Sequence, residues 1–350
     1  FVLIASTGCS SAEKAAAGPT PGPTGASGGA GAPGGAGAQG LGGAPSGGSA
    51  GLSNAGQSQG GSAGAPGSAG ALSGGGTAGA TASAYQPVMG PKFDELPLYP
   101  GDPPNLRADA PPETLNQAGH IGVVSVPTLR RYPMDASKAT GLGYLVFPGG
   151  GYYILDMDTH AAKLAERLGP QGIAVFALKY RVGEGSTDAP RDALLDGKRA
   201  VRLVRENAAS WGVALDRVGV IGYSAGSHLA LNLADNFDEG DAGAADPVEH
   251  QSSRPSFVGS MSTWSFGQAT SPFTFPAHVP PTFFCHAEDD DGAPIALARA
   301  VEAQIMGLGV STLLDVYATG GHSTCHVGDP SMAGRNWPDK FLPWVQGALE

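Results

Sequence analysis

Two runs of this chain, Leu142–Phe147 and Gly172–Leu178, are apolar from end to end, and a third, Arg217–Ile221, is apolar after its first residue. A strand with one wet face alternates in polarity, whereas a strand that is apolar throughout must be covered on both faces. Helical spacing recurs between these runs. Thr159–Leu168 places Leu164 and Leu168 in step and stops at Gly169-Pro170. Asp188–Ala209 reads as a long amphipathic helix, with Leu194, Leu195, Ala200, Val201 and Val204 inward and Arg191, Lys198, Arg199 and Arg202 outward. Strands at Phe257–Met261, Thr282–Cys285 and Val310–Tyr317 and helices at Ala293–Met306 and Trp337–Leu349 continue the alternation. The pattern predicts an α/β fold: a mostly parallel central sheet with helices on both faces. Ahead of it, Ile121–Val126 and Leu129–Tyr132 alternate enough to predict an antiparallel strand pair.

The alternation occupies only part of the chain. Of its 56 glycines, 25 lie between Gly18 and Gly79, in a tract of Gly, Ala, Ser and Pro. Such a tract buries too little apolar surface to offset its ordering entropy. Residues 10–84 are therefore expected to be a flexible tether, leaving 85–350 as one α/β domain. Residues 1–9 look like the tail of an apolar export segment without an initiator Met or basic region, so the natural N-terminus is expected upstream. Small residues leading into Thr7-Gly8-Cys9 resemble a bacterial lipobox, with Ser6 in place of the usual Leu or Val. On that resemblance Cys9 is the lipidation site, and the protein is an envelope-tethered lipoprotein or otherwise secreted. If Cys9 carries lipid, Cys285 and Cys325 are the one internal pair, and a disulfide suits an oxidising compartment. The net charge of −11 argues against nucleic acid or anionic membrane as a partner. A membrane enters only through the N-terminal lipid.

The Arg217–Ile221 run leads into Gly222-Tyr-Ser-Ala-Gly226, then a helical stretch through Leu229. Gly-x-Ser-x-Gly between strand and helix describes a nucleophile elbow, in which Ser224 stands exposed at a helix N-terminus. The competing interpretation is a glycine-rich turn with an idle serine. Acyl transfer needs a base, a residue orienting that base, and donors for the oxyanion, and in α/β-hydrolases acid and base follow the serine in that order. Asp289, Asp290 and Asp291 follow one strand, with Asp290 the fitting acid, and His322 follows the next behind Gly320-Gly321. His326 competes with His322, while His286 suits orienting the acid loop and His228 lies on the elbow helix. Gly149, Gly150 and Gly151, after Pro148, read as an oxyanion loop, with the amide of Ala225 as the further donor. Tyr152 and Tyr223 are the expected pocket residues. No metal or other cofactor is called for.

The chain is similar to the acetyl-xylan-esterase-like (BD-FAE-like) α/β-hydrolases, near the hormone-sensitive-lipase-like esterases. The likeness rests on Phe147-Pro-Gly-Gly-Gly-Tyr152, Leu178-Lys-Tyr-Arg181, Asp192 with Arg199–Arg205, Gly222–Ala230, His286-Ala-Glu-Asp-Asp290 with Pro294, Gly320-Gly-His322 and Trp337–Phe341. It implies that the acid stands four residues after His286, which is Asp290. It also implies hydrolysis of short acyl esters, often acetyl groups on polysaccharide or small sugars, without a metal. Departures lie at Ser227, at Ser256 and at Asp158-Thr-His-Ala161, which replaces a frequent Glu-Gly pair. Only Phe237–Arg254 is a sizeable insertion near the elbow, so no large lid is expected. The alternatives are a serine peptidase of the prolyl-oligopeptidase type, which would usually carry a propeller, and a non-catalytic surface binding module on the same fold.

Overall fold

A computed structural model of the chain describes residues 89–90 and 92–350. The export remnant over 1–9, Cys9 and the tether over 10–84 lie outside the described residues. Among those described, no helix is long and apolar enough to cross a membrane. The strands in chain order are β1 (Asp94–Pro97), β2 (Thr114–Leu115), β3 (Ile121–Gly122), β4 (Thr128–Arg131), β5 (Gly141–Phe147), β6 (Ile154–Leu155), β7 (Ala174–Lys179), β8 (Val213–Tyr223), β9 (Val258–Met261), β10 (Thr282–Ala287) and β11 (Thr312–Tyr317). The helices are α1 (Lys163–Leu168), α2 (Ala189–Glu206), α3 (Ala225–Asn236), α4 (Ile295–Gly307) and α5 (Trp337–Leu349).

Eight strands form one sheet in the order β1-β4-β7-β5-β8-β9-β10-β11, and β4 alone runs against the others. The apolar runs occupy its centre, where β5 is flanked by β7 and β8. Period-two alternation sends Tyr144 of β5 to one face, against Phe257 and Phe341 of α5. Phe147 goes to the other, beneath Gly197 of α2 and Leu229 of α3. Both faces are thereby covered, as continuous apolar strands require.

The structure differs from the sequence expectation in three places. The stretches Ile121–Val126 and Leu129–Tyr132 do not pair with each other. Val123 takes a positive φ of 56° and breaks the first run, so β3 joins β2 and β6 in a small separate sheet while β4 pairs with β1 and β7. Arg199 and Arg202 of α2 are buried, not outward. The acidic loop after α3 folds over them, and Asp246 and Glu249 hold Arg199 while Asp238 and Glu249 hold Arg202. That contact pins 238–254 to α2. The second irregular stretch, between β9 and β10, was not foreseen; it brings Trp264, Phe266 and Phe273 around His228 on α3.

Candidate active site

The ends of β5, β8, β10 and β11 supply the site. Strand β8 turns into α3 through Ser224, whose backbone sits at φ 53° and ψ −118°. Few non-glycine residues adopt that conformation, and strain of this kind is held in place only by its surroundings. Here the surroundings leave no room for side chains: a Cβ on Gly222 would lie 2.0 Å from the carbonyl oxygen of Gly226, and one on Gly226 equally close to that of Phe147. The Ser224 amide donates to Met261 O at 2.9 Å, tying the elbow to β9.

The serine hydroxyl lies 2.8 Å from His322 Nε2. Nδ1 of the same ring is 3.0 Å from each carboxylate oxygen of Asp290. Burial alone would raise the Asp290 carboxyl, but the hydrogen bond and charge of His322 and the Ala293 amide outweigh it and hold it below the usual carboxylate range. Asp290 Oδ1 also accepts the amides of Gly292 and Ala293, at 3.0 and 2.8 Å. The acid is thus ionised and fixed in orientation. It keeps the His322 proton on Nδ1 and leaves Nε2 free to take the serine proton.

The neighbours of Asp290 have other contacts. Asp289 accepts the amides of Gly320 and Gly321, at 3.2 and 2.8 Å, and so shapes the loop that carries His322. His286 is buried, with Nδ1 3.1 Å from Ala287 O and 4.0 Å from Asp290. Cys285 and Cys325 are joined by a disulfide, with Cα atoms 6.2 Å apart. Ser262 Oγ donates to His322 O at 2.9 Å.

The glycine loop corrects one expectation. The amide of Gly149 donates to His160 Nδ1 at 3.1 Å, so it is already engaged and not open to an incoming oxyanion. The amides of Gly150, Gly151 and Ala225 have no partner among the described residues. A Cβ on Gly150, at φ +140°, would meet Ile154 O at 2.1 Å, which explains the glycine. These three amides are the donors open to an oxyanion beside Ser224.

A cavity of about 310 Å³ opens on the serine, lined by His120, Gly149–Gly151, Ile154, Asp156, His160, Tyr223, Ser224, Ser262, His322 and His326. Three larger hollows, two of about 490 Å³ around Phe93 and Tyr132 and one of about 530 Å³ beside Tyr99 and Arg199, contain none of this chemistry. Of the two tyrosines expected in the pocket, Tyr223 lines it and Tyr152 does not. The Tyr152 ring turns into an aromatic cluster, and its hydroxyl meets His228 Nδ1 at 2.8 Å. His326, the rival base, has its Nε2 3.1 Å from His160 Nε2. Sequence reasoning passed over His120, Asp156 and His160, although the departure at Asp158-Thr-His-Ala161 marked the last. These groups do not form a metal-holding cluster, and no set of three His, Cys, Asp or Glu with such geometry occurs among the described residues.

Comparison with known proteins agrees with the architecture. The BD-FAE family model matches residues 136–257, from just ahead of β5 to just short of β9. Over that stretch the chain is similar to the BD-FAE family. It is 34% identical over 91 residues to an acetylxylan esterase of Xylanibacter ruminicola, which covers 26% of this chain and 18% of that protein. It is 32% identical over 107 residues to the ethyl acetate hydrolase of Pseudomonas putida, covering 30% and 33%. The matched stretches span less than half the length of these curated relatives. Among solved structures, the acetyl ester-xyloside bifunctional hydrolase from Caldicellulosiruptor lactoaceticus superposes with a TM-score of 0.57 at 27% identity, covering 72% of this chain and 95% of that one. A thermophilic esterase from Thermogutta terrifontis shares the fold at 19% identity and a TM-score of 0.53, covering 68% and 95%. The chain therefore has the α/β-hydrolase fold.

Proposed function

We propose that the protein is a serine carboxylic ester hydrolase that removes short acyl groups, acetyl above all, from a carbohydrate or other small alcohol. The observation that carries this is the continuous chain of contacts from Ser224 Oγ through His322 to Asp290. Ser224 attacks the acyl carbon as His322 takes its proton, and the Gly150, Gly151 and Ala225 amides receive the oxyanion. His322 then returns the proton to the leaving alkoxide, and water clears the acyl-enzyme by the same route. The acetyl preference draws support from a cavity of about 310 Å³, which has little room for a long acyl chain. The sugar preference draws on the names of the relatives and on the polar wall of His120, Asp156 and His326. A lipid on Cys9 would hold this activity at the cell envelope.

Turnover of p-nitrophenyl acetate by the wild type and by Ser224→Ala tests the reaction. Equal rates would remove the esterase reading. Acetate release from acetylated xylan, acetylated pectin and small acetylated sugars tests the carrier.

A further inference from the structure

Two imidazoles beside Ser224 take no part in the proton transfers described above. His160 is buried on a single π turn, Asp158–Ala162, that opens the helix leading into α1. Its ring lies flat on Tyr223, the residue before Ser224, with centroids 4.4 Å apart and planes 17° from parallel. A ring nitrogen that accepts an amide proton carries none of its own. Because Nδ1 accepts the Gly149 N–H, the His160 proton sits on Nε2. Nε2 faces Nε2 of His326 at 3.1 Å, and only one of the two can bring a proton to that contact. His326 therefore accepts there, and its own proton sits on Nδ1. Only this arrangement of a neutral pair satisfies both contacts.

The surroundings favour neutrality. Burial pushes His160 down to about 3, with Asp156 opposing and His326, His322 and His120 reinforcing, and burial likewise lowers His326. The other polar group of Gly149 is held as well. Its carbonyl accepts the Asp156 amide at 3.1 Å, and Asp156 in turn caps the π turn by accepting the Thr159 amide at 3.0 Å. Both polar groups of Gly149 are thus engaged, whereas the next two amides of the loop have no partners among the described residues.

We propose that His160 and His326 are positioning residues: a tautomer-locked neutral pair that holds the Gly149 peptide and thereby aims the Gly150 and Gly151 amides at the oxyanion. The proposal rests on the esterase reading of Ser224. His326 sets the tautomer and His160 transmits it, so on p-nitrophenyl acetate, which brings no sugar to the His326 wall, a substitution at either acts on kcat more than on KM.

The test compares steady-state hydrolysis of p-nitrophenyl acetate by wild type, His160→Ala, His160→Asn, His326→Leu and His326→Gln, with melting curves for each. Removing an oxyanion donor outright typically costs roughly 100- to 1000-fold in kcat, and misaiming one should cost less. His160→Ala is expected to lower kcat by about 10- to 100-fold with KM nearly unchanged. In His160→Asn the amide oxygen stands where Nδ1 stood, and most of the loss should be recovered. His326→Gln should likewise outperform His326→Leu. Variants that fold like wild type but show no loss in Ala, or no recovery in Asn, would overturn the proposal. Long-range 1H–15N spectra of histidine-labelled wild type read the pair without any turnover. Nε2–H on His160 and Nδ1–H on His326 near neutral pH are expected, and the reverse tautomers or a charged ring would overturn the assignment. A wild type that hydrolyses no ester while showing these tautomers counts against the esterase reading and leaves the pair standing.

Discussion

Cys325, three residues beyond His322, is bonded to Cys285 on β10, five residues ahead of Asp290. The bridge clips the loop that carries the base to the strand that leads into the acid. Its sulfurs are buried in the core together with Trp337, whose indole N–H donates to Cys325 O at 3.0 Å. Replacing both cysteines by serine should lower stability by about 2–4 kcal/mol, the usual range for a native bridge. It should also lower kcat more than KM, because the distance most exposed to loosening is that between His322 and Asp290. Denaturant midpoints and steady-state kinetics with and without reductant measure the two effects. Because both sulfurs are buried, reductant alone should act slowly on the folded protein and quickly near the unfolding midpoint.

Three adjacent aspartates follow β10, and their contacts separate them. Asp290→Asn would present an amide to His322 Nδ1 and favour the wrong tautomer, which in a comparable triad costs roughly 10,000-fold in kcat. Asp289→Asn loses the charge on two loop amides and should cost about tenfold or less, mostly through the placement of His322. Asp291 is exposed, and Asp291→Asn should be neutral. Kinetics of the three variants on one ester rank them, and an Asp289 effect equal to that of Asp290 would reverse the assignment of the acid.

Much of this was legible in the sequence because the elements that build the site are local. Three apolar runs ended by glycine-bearing loops placed β5, β7 and β8, and the order Ser224, Asp290, His322 followed the strands. What was hidden depends on contacts between distant residues. Arg199 and Arg202 occupy the polar stripe of an amphipathic helix, and only the return of Asp238, Asp246 and Glu249 across α2 buries them. Arg181 reads in sequence as part of a short motif, yet it is buried against Asp196 at 2.7 Å, with the Asp192 carbonyl on the same guanidinium. The glycine loop was recognisable, but which of its amides is free was decided by His160, eleven residues away and on a separate element. Tyr152 follows that loop in sequence, and its positive φ of 66° turns the ring out of the cavity.

The elbow glycines should tolerate no side chain. In Gly226→Ala the new methyl would stand 2.0 Å from the carbonyl oxygen of Phe147, on the central strand, where neither backbone can yield. Such overpacking typically costs about 1–3 kcal/mol, and a clash with backbone belongs at or above the upper end. Loss of soluble expression or a strongly lowered melting temperature is expected. Gly347→Ala, with no atom within 4 Å of the new methyl in α5, serves as the control and should be neutral or slightly stabilising.

Acid should weaken the fold through buried neutral histidines. Burial depresses His160 to about 3 and His228 to about 4, and it lowers His286 and His326 as well. Each would titrate near 6.5 in the unfolded chain, so below that value the unfolded state binds protons that the native state refuses. Stability from these groups is complete above about pH 6.5 and falls as the pH drops toward 3–4. Asp290, held below its ordinary value, adds a further loss only below about pH 4, where the unfolded carboxylate protonates first. Unfolding free energies from urea titrations at intervals between pH 7 and pH 4 should decline. His228→Phe, which removes one of the four, should flatten the slope. A stability independent of pH across that interval would mean that these rings are already charged in the folded protein.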